Sequence, residues 1–165
     1  MKRDAVMESM REMVDAAISR FASYGISATR KEFASDLRLN PVKFERAKYI
    51  NATLVLRVPE TEDEDGAEYR IGVGAEIKHG EVVEADFAES VSDFERRVEE
   101  ALEALSKSEN PRDVIRELDR AAELEYEALA EEIEEKAKKM RPLYIIGALL
   151  FIVGMVILFI VATGA

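Results

Sequence analysis

His79 is the only histidine among the 165 residues, and the chain contains no Cys. Thiolate nucleophiles, thiolate metal sites and disulfides are therefore excluded, and a multi-histidine metal site cannot be assembled. His79 is also the one side chain whose ordinary charge change falls near neutrality, but it stands in the turn-like tripeptide Lys78-His79-Gly80 and nothing pairs it with a nucleophile. Carboxylates pose the opposite problem. With 34 Asp and Glu, any two could be named as an acid–base couple, so their number singles out no glycosidase-like pair. The densest cluster, Glu60, Glu62, Asp63, Glu64 and Asp65 before Gly66, invites comparison with a calcium loop. Counting an EF-hand from Gly66 puts Thr61 at the first ligand position and Gly72 at the last, where a carboxylate is required, so the motif fails. Gly72, Gly74 and Gly80 lack the spacing and following helix of a dinucleotide loop, and a glycine inside a strand more often marks a bulge. No catalytic, metal-binding or cofactor-binding residue is assigned, and the chain reads as a non-enzyme.

The charges are segregated. Residues 1–58 carry 11 Lys and Arg against 7 acids, whereas residues 59–142 carry 12 against 27. The basic half could meet an acidic partner, nucleic acid included; the acidic half is repelled by anionic lipid heads. There are 25 Glu, 9 Asp, no Gln and no Trp, a profile that leans toward a thermophile.

Hydropathy periods outline the elements that must position these groups. Val6, Met10, Met13, Val14, Ala17, Ile18 and Phe21 recur at spacings of three and four, predicting a helix over 4–23 that ends at Tyr24-Gly25. Met at such spacing reads as core filler. Thr29 and Glu32 form a capping box ahead of a short helix over 30–37. Asn40 and Pro41 could start another helix to about residue 49, but Val42, Phe44, Ile50, Ala52, Leu54, Leu56 and Val58 also fit an interrupted long strand, so two periodicities compete over 42–50. Residues 53–58 and 69–77 alternate around an acidic loop and predict an antiparallel hairpin, with 81–87 as a third strand. Val91, Phe94, Val98, Ala101 and Leu105 then form a heptad seam of coiled-coil type. Asn110 and Pro111 cap a longer helix in which Ile115, Leu118, Ala122, Tyr126, Leu129, Ile133, Ala137 and Met140 follow an eleven-residue repeat. Only part of that stripe would be covered by the shorter helix folding back on it, which predicts self-association.

Residues 29–50, TRKEFASDLRLNPVKFERAKYI, resemble the helix-turn-helix of winged-helix DNA-binding proteins, with Phe33, Ala34, Leu37, Leu39, Phe44 and Ala47 at that family's apolar and small positions. The resemblance implies that Lys43, Arg46 and Lys48 would face the major groove or phosphates and that the hairpin over 53–77 would be the wing. An acidic wing tip would repel DNA, which ranks this use second.

Residues 143–165 carry no charge over 23 positions, and 14 of them are Leu, Ile, Val or Phe. A bilayer core of about 30 Å needs roughly 20 apolar helical residues, so this run predicts a membrane anchor through Leu143, Ile146, Leu150, Phe151, Ile157 and Phe159. Lys136, Lys138, Lys139 and Arg141 precede it, and basic flanks stay on the cytoplasmic side. No apolar stretch near Met1 suggests a signal peptide.

Together these patterns predict an α+β chain in three parts: a head of helices and antiparallel hairpin or meander over 1–88, a helical hairpin stalk over 89–141, and a single transmembrane helix over 142–165. The expected function is a tail-anchored, single-pass cell-membrane protein with its N-terminal bulk in the cytoplasm, serving as adaptor or scaffold for a protein partner. The lipid bilayer and a second copy of the chain are its other expected partners, and no cofactor is expected. A membrane-tethered winged-helix transcriptional regulator that binds DNA is the alternative.

Overall fold

The computed structural model describes residues 1–37 and 40–163, with side chains described for 1–36 and 41–139. The chain runs α1 (Arg3–Ala22), β1 (Ser27–Leu37), β2 (Asn40–Pro41), a 3-10 turn (Phe44–Arg46), β3 (Tyr49–Val58), β4 (Ala67–Lys78), β5 (Glu81–Val82), α2 (Glu84–Lys107) and α3 (Pro111–Thr163). It belongs to the α+β class. The strands form one antiparallel sheet in the order β2-β1-β3-β4-β5, and the chain divides into two compact units, Met1–Ala122 and Glu123–Ala165.

Helix α1 follows the expected period, burying Val6, Met10, Val14, Ala17 and Phe21, and Met7 joins them. It stops where Gly25 takes φ 71°, a conformation that costs glycine little. The β3–β4 hairpin is also as expected. Its register runs from Tyr49 opposite Glu76 to Val58 opposite Ala67, which puts Ile50, Ala52, Leu54 and Leu56 on one face with Ala75, Val73, Ile71 and Tyr69. All eight are buried. The tripeptide at 78–80 makes the next turn, His79 and Gly80 having φ 52° and 83°, the paired positive values of a tight hairpin.

Residues 27–37 form a strand where a capped helix was expected, and of residues 41–49 only 44–46 are helical. Neither helix of the expected helix-turn-helix is formed. The reason lies in what β1 faces. Its register against β3 sets Ala28, Arg30, Glu32 and Ala34 opposite Leu56, Leu54, Ala52 and Ile50, on the side covered by α1. Ala28 and Ala34 pack against the core there, but between them Arg30 pairs with Asp15, and Glu32 accepts two hydrogen bonds from Arg11 at 2.8 and 2.9 Å. Inward charges thus hide the alternation of a strand, and long-range pairing with β3 overrides local helix propensity.

The third strand is shorter than expected. Glu81 and Val82 pair with β4 and the Val83 N–H still donates to the Glu76 carbonyl at 2.9 Å, but Val83 caps α2, because Phe87, Val91, Phe94 and Val98 continue at helical spacing. Phe94, Val98, Ala101 and Leu105 are buried as the heptad seam predicts; the seam rests on β4 and meets α1 near Met13 and Ala17, and the end of α2 at Ala104 and Lys107 faces Val114, Leu118 and Ala121 of α3. From α3 the head takes Val114 and Ile115, both buried, behind the expected Asn110 cap, whose Oδ1 accepts from the Arg112 N–H at 3.2 Å. The two helices also close the edge of β4. Ser90 Oγ accepts from the Gly74 N–H at 2.8 Å, and Asp119 accepts from the Glu68 N–H at 3.3 Å, so an edge that could pair with another chain is blocked.

Gly72 and Gly74 sit in regular register opposite Thr53 and Asn51, with no bulge between β3 and β4. A Cβ at Gly74 would lie 3.2 Å from Asn51 Cβ and from the Ile50 carbonyl oxygen, whereas at Gly72 the nearest atom would be Thr53 Oγ1 at 3.6 Å. Gly74→Ala is therefore expected to destabilise the head by about 1 kcal/mol or more through overpacking. Gly72→Ala should be neutral or gain a few tenths of a kcal/mol from a less flexible unfolded chain. Thermal melts of the two variants check this, and equal effects would contradict the register.

Candidate functional site

One face of the sheet is spent on α1. The opposite face presents Thr29, Lys31 and Phe33 of β1, Asn51, Thr53 and Arg57 of β3, and Glu68, Arg70, Gly72 and Gly74 of β4, as the registers require. Most of these are exposed or half-buried, Phe33 at 38 %. The face has two differently charged ends.

At one end Glu68 gathers three cations. Arg57, directly across the strand pair, donates to Oε2, its Nε at 3.0 Å; Arg70 Nε donates to Oε1 at 2.7 Å; Lys31 lies 3.8 Å away. Hydrogen bonds from Arg57 and then Arg70 hold the Glu68 carboxyl at about 2, against an ordinary 4.5. Three cations on one carboxylate leave this end positive.

At the other end a cleft of about 640 Å³ separates the sheet from the first half of α2. Phe33, Asn51 and Gly74 line its sheet side, and Asp86, Glu89 and Asp93 its helix side, where residues 86–93 fall on successive turns. Ser35, fully buried, also lines it, and its Oγ has no hydrogen-bond partner; the buried Asn51 Oδ1 has none either. Of the helix carboxylates, Asp93 is engaged by Arg97 at 2.9 Å and by Arg96. Asp86 and Glu89 form no ion pair among the described residues. The charged groups on the walls are therefore carboxylates, beside hydroxyl and amide groups of Ser35, Tyr49, Asn51 and Ser90 that can both donate and accept. No cluster of three or more His, Asp or Glu able to hold a metal ion occurs among the described residues.

The residues singled out from the sequence lie elsewhere. Lys43, Arg46 and Lys48 are all exposed on the connection between β2 and β3, with exposed Glu45 among them. They are not carried on a recognition helix. That connection is pinned by Arg3, whose Nη1 donates to the Phe44 carbonyl at 2.7 Å and whose guanidinium lies 5.6 Å from the Phe44 ring centroid. His79 is exposed in its turn.

The acidic loop is a strap. Arg116 reaches Glu64 at 2.7 Å and the Asp65 carbonyl at 3.2 Å, and Arg112 donates to the Pro59 carbonyl at 3.0 Å, tying the loop to the first turns of α3.

In the second unit, Lys136, Lys138 and Lys139 pair with Glu132, Glu134 and Glu135 at 2.6, 2.8 and 3.8 Å, the four-residue spacing read from the sequence. The side chains of Arg141 and of the residues expected to form an anchor, Leu143, Ile146, Leu150, Phe151, Ile157 and Phe159, lie outside the described residues. Among the described residues no helix is long and apolar enough to cross a membrane.

Sequence reasoning missed the cleft residues Ser35, Asn51, Asp86 and Glu89. Ser35 belonged to an expected helix and Asp86 to an expected strand, so nothing in the local pattern brought them together. No protein-family model, curated protein or solved structure matches the chain.

Glu68 gives the open face a measurable pH signature. A carboxyl held below its ordinary range contributes stability above about pH 4.5, and that contribution is lost as pH falls through about 2. After allowance for solvent screening of a surface network, Glu68→Gln should cost about 1 kcal/mol at neutral pH. The gap from the parent should close toward pH 2. Denaturant titrations across that range test it, and a gap independent of pH would assign the loss to packing.

Proposed function

We propose that the chain is a membrane-anchored, non-enzymatic adaptor, with its head in the cytoplasm and residues 143–165 across a bilayer. The observation that carries this reading is the uncharged 23-residue run directly behind Lys136, Lys138, Lys139 and Arg141. Its length matches the hydrocarbon core, and its flank obeys the rule that keeps basic residues inside.

A protein-contact role is supported by α3, where Leu124, Tyr126, Leu129 and Ile133 are 60, 76, 53 and 59 % exposed. Neighbouring large apolar groups left in water mark contact surfaces. A second copy of the chain is the occupant we favour. Anchors in one bilayer align copies in parallel and raise their effective concentration, and an eleven-residue stripe suits a nearly straight helix pair.

The absence of Cys makes the test clean. Leu129→Cys in native membranes should form an oxidant-dependent dimer, and the background substitution Ile133→Glu should suppress it. A chain that stays with the membrane yet yields no dimer would remove self-association and leave the anchor standing. In a separate experiment the parent chain should resist extraction by alkaline carbonate, and its release would overturn the membrane reading. Binding of duplex DNA that falls steeply with salt, and is lost when Lys43, Arg46 and Lys48 are replaced by Glu, would put the regulator in place of the adaptor.

A further inference from the structure

We propose that the cleft between the open sheet face and α2 binds an organic cation, the alkylammonium or guanidinium group carried by lysine and arginine side chains and by polyamines. This goes beyond the adaptor reading and stands whether or not residues 143–165 enter a bilayer.

A volume of about 640 Å³ lies in the range of small-ligand sites. What selects the ligand is the mismatch between acceptors and donors. Asp86 and Glu89 project from α2 without an ion pair among the described residues. Opposite them, Asn51 Oδ1 is buried with no donor, and Ser35, with none of its surface exposed, has an Oγ without a partner. Buried polar atoms left unmatched are costly, and native structures keep few of them. A ligand rich in N–H groups and positively charged would satisfy the buried atoms and the carboxylates together. An ammonium offers three donors and a guanidinium five.

Of the chain's own nearby cations, Arg97 holds Asp93, and Lys78 holds Glu76 at 2.9 Å while its charge reaches Asp86 without forming an ion pair there. Phe33, 38 % exposed at the cleft, supplies a ring over which an organic cation gains further attraction. A divalent metal is disfavoured by the same geometry, because the described carboxylates are not grouped to coordinate one. An anionic ligand would meet carboxylates.

Calorimetric titration of the full-length chain, at low salt, with spermidine and with an uncharged-backbone peptide bearing one Arg and one Lys tests the assignment. At least one probe should bind saturably. Asp86→Asn combined with Glu89→Gln should weaken it by about tenfold or more, as expected for loss of charge-assisted hydrogen bonds, and Ser35→Ala by a few-fold. Glu62→Gln with Asp63→Asn removes the same charge from an exposed loop and should leave binding unchanged; a far-ultraviolet melt confirms that each variant folds. Tighter peptide binding names a protein side chain as the ligand's source, and tighter spermidine binding a free polyamine; either supports the site. No saturable binding of either probe, equal loss in the loop control, or retention of affinity in the Asp86/Glu89 variant would overturn it.

Discussion

The alternation of β3 and β4 obliges this sheet to bury chiefly one face, and the rest of the head follows from that constraint. Leu54, Leu56, Ile71 and Val73 are fully buried and need a cover, which α1 supplies with Val6, Met10, Val14 and Phe21. On the other parity Val55 and Ser35 are buried too, whereas Thr53 is half-buried and Arg57, Arg70 and Gly72 are exposed. Helix α2 completes the arrangement at the flank. Its seam adds Phe94, Val98 and Leu105 to the core, while Ser90 and the α3 residue Asp119 occupy backbone donors of β4 that no strand takes. The cleft exists because α2 sits at that flank, overhanging the wet face with its carboxylates.

Much of this was legible wherever apolar residues alone set the period. Helix α1, the β3–β4 hairpin, the turn at His79-Gly80 and the buried seam of α2 could all be read from spacing, since each is defined by what it buries. Strand β1 could not. Its inward positions include Arg30 and Glu32, whose partners Asp15 and Arg11 lie on another element, and no local pattern reports a cross-element ion pair. A capping box then gave the wrong local answer, because a cap is worth only about 1 kcal/mol and nine residues of register with β3 outweigh it. The cleft was illegible for the same reason. Ser35, Asn51 and Asp86 come from three elements, and their proximity is a product of topology.

Charge segregation takes on a structural meaning once the partners are known. The acidic loop at 60–65 suggested a repelling tip, but Arg112 and Arg116 pull it onto the beginning of α3, where it helps tie the helix to the head. Glu68 likewise turns three cations of the open face into a fixed cluster rather than a mobile basic patch. An arginine already hydrogen-bonded to a carboxylate is a poorer ligand for phosphate, since the bond must be broken first.

The apolar stripe of α3 shows how one repeat can serve two purposes. Ile115 is fully buried, and Leu118 and Ala122 pack partly buried against the core of the first unit. The same spacing continues through Tyr126, Leu129 and Ile133, all more than half exposed. Had the repeat served only to dock α3 on the head, the pressure for large apolar residues would end at Ala122, and solvent-facing positions of so acidic a helix would fill with Glu and Lys. Those residues do occupy the flanking positions, where Glu132 and Glu134 pair with Lys136 and Lys138, while the stripe itself stays apolar. Keeping large side chains in water on an otherwise strongly acidic helix, Leu124 beside the stripe among them, exposes apolar surface at a cost of about 25 cal/mol per Å². Covering the stripe would recover that cost, which is the physical argument behind the second copy proposed above.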